Sequence, residues 1–261
     1  MENNKIFAKG PKLVRDKLHG KMFLVPSFIT VLGVFCGFFA IVNTMRGSFV
    51  EASIAIGIAI ILDGLDGRVA RRLNATSEFG KEFDSLSDLI AFGVAPALLI
   101  YQWAFTSLAD QFGLLISFIF VVCAATRLAR FNIQNESEPA NHFTGLPTPG
   151  AAFGILSLVF IFPEFTINLF TVSAVVIYAV TLSFLMVSNL KFFSVKKLKL
   201  SKTNPRITLV LIAVAIAFAY YYLQLALFIS SLFYVFSGPV MYLLSLRKIK
   251  EKNVDSHRQV G

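Results

Sequence analysis

Residues 62–90 read LDGLDGRVARRLNATSEFGKEFDSLSDLI. Four aspartates, two glutamates and four basic residues crowd into this stretch, and long apolar runs flank it on both sides. Charges at this density do not cross a hydrocarbon layer, so the stretch separates two spans and lies at a membrane edge. Asp63 and Asp66 are three apart at the end of the first run. Asp84 and Asp88 are four apart at the start of the second. On a helix, residues at these spacings share a face. The short connection makes the two helices neighbours, so both acidic stripes are expected at the same depth.

The rest of the chain agrees with that setting. Its 261 residues are 56% hydrophobic and 15% charged, where a soluble domain carries about 25% charged residues. Mean hydropathy is +0.71. A spanning helix needs about 20 mostly apolar residues. Apolar runs at 23–44, 49–65, 84–105, 112–131, 150–163, 168–188, 207–223 and 225–246 predict an all-α, polytopic integral membrane bundle of about eight transmembrane helices. In this scheme 1–22 is a basic N-terminal segment, 23–190 a membrane core, 191–206 a basic loop, 207–246 two additional helices and 247–261 a basic tail. The segment before the first run is expected to be either a short interfacial helix or a solvated tail. No small-residue cleavage site follows the first run, so that run is expected to be retained.

Charge sets the orientation. Of the 24 Lys and Arg, only Arg46 falls on one side of the eight-span scheme. The positive-inside rule makes the other side cytoplasmic, with both termini and residues 62–90 there. The net charge of +9 is therefore read as topology and attraction to anionic headgroups rather than nucleic-acid binding. Cys36 and Cys123 lie inside apolar runs and are expected to be free thiols. Trp103 and Tyr220–Tyr222 fall near span ends, where interfacial aromatics collect.

Four carboxylates repel one another in a low dielectric, and something positive must compensate. Hard divalent cations take oxygen ligands. Two such ions close together suit phosphoryl chemistry, where they neutralise developing charge. Gly64 and Gly67 leave room for a ligand to approach the backbone. Arg71 offers a fork suited to phosphate. Thr76 and Ser77 add small hydroxyls, and Gly80 permits a turn before the next helix. A plain solvated loop, with Asp84 and Asp88 as dipole-favoured helix-start residues, leaves the shared-face spacing of all four aspartates unexplained.

The pattern Asp63-x2-Asp66-Gly67-x2-Ala70-Arg71-x8-Gly80-x3-Asp84-x3-Asp88 resembles the signature of the CDP-alcohol phosphotransferase family at every fixed position. The resemblance implies a helical, usually dimeric bundle that cleaves the pyrophosphate of a CDP-linked donor, passes the phosphoryl-bearing part to an alcohol and releases CMP. It implies Asp63, Asp66 and Asp84 as ligands of two divalent ions, Mg2+ or Mn2+, with Asp84 bridging. Asp88 would be the base on the acceptor hydroxyl and a possible contact of the second metal. Gly67, Arg71 and Ser77 would contact the CDP part of the donor.

Two further stretches bear on the alcohol. Residues 125–134 read ATRLARFNIQ and residues 141–152 read NHFTGLPTPGAA. Arg127 and Arg130 are three apart, so they are expected on one helix face, able to grip a carboxylate or phosphate. The prolines around Thr148 predict a rigid re-entry. These stretches, with PSFIT at 26–30, FCGF at 35–38 and MVSNLKFFSVK at 186–196, resemble the phosphatidylserine synthase branch. Position 27 is Ser where that branch more often has Asn. The resemblance implies CDP-diacylglycerol and L-serine as substrates, a cytoplasm-facing site in the cell membrane, and Arg127, Arg130 and Asn132 holding the serine carboxylate or the donor phosphate. The alternatives are the same fold with glycerol 3-phosphate or inositol as acceptor, a cation transporter using intramembrane carboxylates, and a structural anchor.

Overall fold

The computed structural model describes residues 12–73, 77–106, 110–135, 143–164, 168–192 and 222–258. Helix α1 (Lys12–Met45) runs into α2 (Phe49–Arg72) through a tight turn. Gly47 takes φ +76° there, a conformation that a Cβ disfavours, while Gly47 N–H donates to Thr44 O and Ser48 N–H to Asn43 O. Residues 12–22 continue α1 as one helix, so the N-terminal segment is no separate element from Lys12 onward. α1 and α2 make the most extensive helix pair. Small side chains are buried on both helices, Ala40 of α1 and Ala52, Ala55 and Ala59 of α2. Between apolar helices in lipid, close approach of small residues supplies the packing that water-driven burial supplies elsewhere.

Helix α3 (Glu78–Asp88) starts at a true cap: Gly80 N–H donates to Ser77 Oγ at 2.9 Å. It continues through a π-helical turn, Leu89–Val94, into α4 (Ala95–Ile100) and a second π-turn, Tyr101–Phe105. Pro96 accounts for the first. A proline ring clashes with the carbonyl four residues back and lacks an N–H, and the wider turn places Ala95 N–H on Ile90 O instead. Gly37 of α1 lies against this turn, where a Cβ would stand 2.9 Å from Ala91 Cα.

α5 (Asp110–Asn135), α6 (Thr148–Ile161), α7 (Leu169–Val187) and α8 (Leu223–Arg258) complete the described helices. Strand β1 (Phe143–Thr144) pairs antiparallel with β2 (Lys191–Phe192), in register Phe143 to Phe192 and Thr144 to Lys191. Gly145, at φ +82°, donates to Leu190 O at 2.8 Å, and Leu146 N–H to Leu185 O at 2.9 Å. The GLPTP re-entry is thus tied to the end of α7.

Seven of the eight expected spans fall on described helices. The eighth, 207–223, lies almost wholly outside the described residues. Among the described residues, five stretches are long and apolar enough to cross a membrane: Ser27–Met45, Glu78–Phe105, Gln111–Ile133, Leu169–Val187 and Leu223–Tyr242. α6 is apolar but spans 14 residues only. Phe28, Phe35, Phe118, Phe170 and Phe184 are exposed on the outer faces, which suits lipid rather than water. The chain is therefore a helical integral membrane protein. Trp103 falls near the end of the Glu78–Phe105 span, as expected, but it is 5% exposed, and its Nε1–H donates to Phe162 O at 3.0 Å. It closes the end of α6 from within. Cys36 and Cys123 are free, as expected.

Candidate active site

The last turns of α2 and the body of α3 bring three acids together. Asp63, Asp66 and Asp84 each offer a carboxylate oxygen, all within 4.8 Å of one another. Asp66 is 6% exposed, and its carboxyl is in hydrogen-bond contact with that of Asp84. Asp88, one turn further along α3, acts electrostatically on all three. Helix α1 braces the cluster. Thr30 Oγ1 donates to Asp66 Oδ2 at 3.3 Å, and Thr30 O accepts from Ser87 Oγ at 3.3 Å. One residue therefore ties both acidic helices to α1.

Among the described residues, the cation acting on Asp63 and Asp88 is Arg127 of α5. One guanidinium does not balance four carboxylates. The excess of negative charge and the all-oxygen donor set fit a hard divalent metal.

Arg127 is 8% exposed. Its NH1 donates to Thr148 Oγ1 at 2.9 Å, and its guanidinium carbon lies 5.5 Å from the Phe131 ring centre, within cation–π range. Its Nε is buried without a hydrogen-bond partner. Leaving a buried donor unsatisfied costs about 1–3 kcal/mol, so this atom is a candidate ligand contact. Arg130 goes elsewhere. Its NH2 donates to Asn189 Oδ1, beyond the end of α7, at 2.6 Å and its NH1 to Val187 O, the last residue of α7, at 3.3 Å. The two guanidiniums thus reach different partners. Residues three apart are offset by about 60° around a helix, and these long side chains bend to different partners.

Asn132 pairs reciprocally with Ser85, its Nδ2 donating to Ser85 Oγ at 2.9 Å. That bond joins α5 to α3 between Asp84 and Asp88. Gly67 follows Asp66 on α2 and is half-buried, and a Cβ on Gly64 would meet open space. Ser77 spends its hydroxyl on the α3 cap. Gly80 is inside α3 at that cap, not in a turn ahead of it. Arg71 is in the last turn of α2, and its side chain, with Thr76 and His142, lies outside the described residues. Thr30, Ser85, Ser87, Thr148 and Tyr234 were not singled out as site residues by sequence. The one available signal was hydroxyls recurring between the aspartates of α3 and between the prolines of the re-entry.

The family model for CDP-alcohol phosphatidyltransferase matches residues 23–186. The chain is similar to the CDP-diacylglycerol–serine O-phosphatidyltransferase of Helicobacter pylori, 39% identical over 179 residues, covering 68% of this chain and 75% of that one. It is also similar to proteins of the same name from Bacillus subtilis, 35% identical over 67% of this chain and 93% of that one, and from Methanocaldococcus jannaschii, 35% identical over 66% and 75%.

Proposed function

The chain belongs to the CDP-alcohol phosphatidyltransferase family, and from that premise we propose that it is a CDP-diacylglycerol–serine O-phosphatidyltransferase. The observation that carries this reading is the convergence of Asp63, Asp66 and Asp84 within 4.8 Å, with Asp88 and the buried Arg127 beside them. The names of the relatives support serine as the acceptor.

Asp63, Asp66 and Asp84 would hold divalent metal, two ions of Mg2+ or Mn2+. Bound there, the metal supplies charge neutralisation on the pyrophosphate oxygens. Asp88 takes the proton from the serine hydroxyl. The serine oxygen forms a bond to the lipid-side phosphorus, the phosphoanhydride bond on that phosphorus breaks, and CMP leaves with the bridging oxygen. The products are phosphatidylserine, CMP and one proton. Gly67 lets the donor approach α2, and Arg71 and Ser77 contact its CDP part. Arg127 meets the serine carboxylate, while Arg130 and Asn132 hold α5 against α7 and α3. The bias of basic residues supports a cytoplasmic membrane with the site and both termini facing the cytoplasm. The working protein is a homodimer whose catalytic core is 23–190, with 207–246 as added helices.

Purified full-length protein in detergent with Mn2+ is expected to release CMP from CDP-diacylglycerol only when serine is added, and Asp88→Asn is expected to abolish that release. Release driven by glycerol 3-phosphate or inositol would keep the family and remove the serine assignment.

A further inference from the structure

Helix α8 lies beyond the family-matched residues 23–186, yet one stripe of it is fitted closely to the core. Ser231 shares a buried hydrogen bond with Ser157 of α6 at 2.7 Å. Tyr234 lies across Gly150, where a Cβ would stand 2.6 Å from ring Cε1. The Tyr234 ring also packs on Phe192 of β2, 6.3 Å between centres. Gly238 leaves the space that the Phe192 ring fills. Positions 231, 234 and 238 follow helical spacing and form one face. The opposite face carries exposed Phe233, Phe236 and Val240.

The consequence lies one step inward. Gly150 belongs to the first turn of α6, and Thr148 in that same turn holds the Arg127 guanidinium. Tyr234 and Arg127 also interact electrostatically. The face of α8 that docks on the core is therefore coupled to the buried Arg127 guanidinium, whose Nε has no partner.

We propose that α8 completes the acceptor side of the active site, with Tyr234 as a positioning residue: its ring clamps the first turn of α6 and its hydroxyl end orients Arg127 toward the anionic group of the acceptor. This rests on the reading of the chain as a transferase that uses serine. An alcohol without an anionic group would gain nothing from the arrangement.

The test uses full-length protein and compares wild type with Tyr234→Phe, Tyr234→Ala and Ser231→Ala. Serine KM, CDP-diacylglycerol KM and kcat are measured for each. Tyr234→Phe is expected to raise serine KM about five- to tenfold, the scale of one net hydrogen bond, with kcat and the donor KM nearly unchanged. Ser231→Ala, which loosens docking without touching Tyr234, is expected to lower the melting temperature and leave serine KM as it was. An unchanged serine KM in Tyr234→Phe overturns the proposal. So does an equal rise in Ser231→Ala, which would make docking in general the cause. Should Tyr234→Ala not fold, the Phe variant decides alone. Should wild type use a different alcohol, the serine assignment fails separately, and the same KM comparison on that alcohol still decides the role of α8.

Discussion

The acidic and basic sides of this site are built in opposite ways. The aspartates come from two helix segments joined by a short connection, and their short side chains point where the helix face points. Three of them meet within 4.8 Å. The arginines come from one helix, three residues apart, and separate: Arg127 turns inward to Thr148, while Arg130 turns to Asn189. Spacing along a helix predicts a shared site when the side chain is short and the partner helix is adjacent. For a long, flexible side chain, the partner outside the helix decides.

The largest test of that contrast is on the acidic side. Asp84→Asn keeps the shape and removes one charge from the cluster. CMP release is expected to fall about a thousandfold, the scale on which loss of one group stabilising transition-state charge is felt. Titration with Mn2+ should show weaker binding in the same variant. A variant that retains near-normal turnover would break the claim that the convergent carboxylates are the metal site.

A smaller effect is expected on the basic side, and it should be unequal. Arg127→Lys keeps the charge but loses Nε and the planar fork. Serine KM is expected to rise about 10- to 100-fold, matching loss of a charge-assisted hydrogen bond in a buried site. Arg130→Ala is expected to leave serine KM nearly unchanged and to lower the melting temperature, since its bonds go to Val187 at the end of α7 and to Asn189 two residues on. Equal effects of the two on serine KM would restore the clamp that the spacing suggests.

The smallest effect belongs to Ser77, where two roles compete. As the cap of α3, Ser77→Ala is expected to cost about 1 kcal/mol and Ser77→Gly a few tenths, read by thermal unfolding. If Ser77 also contacts the donor, both variants raise the CDP-diacylglycerol KM equally. If it is a cap alone, the glycine variant behaves as wild type.

Composition and local spacing sufficed for the helical membrane class, for seven helix positions and for the acidic cluster. Each of these depends on interactions within a few residues or on the solvent that a segment can tolerate. A special local bond shifted one limit, the Ser77 cap that brings Gly80 inside α3, and α1 is already helical at Lys12, eleven residues ahead of the expected span start at 23. Trp103 shows the limit in another form: a tryptophan near a span end is ambiguous until the carbonyl it reaches, Phe162 O, is placed beside it.

What needed the third dimension was everything carried by partners far apart in the chain. Thr30 reaches Asp66 across 36 residues, Asn132 reaches Ser85 across 47, and Ser231 reaches Ser157 across 74. A hydroxyl, an amide or a guanidinium accepts many partners, so its residue type does not name the one it finds. Clustered carboxylates are different, because their mutual repulsion demands a cation wherever the helices bring them together. That is why the acidic cluster was legible in residues 62–90 while the fate of each arginine, and the place of α8 beside it, was decided by the packing of the bundle.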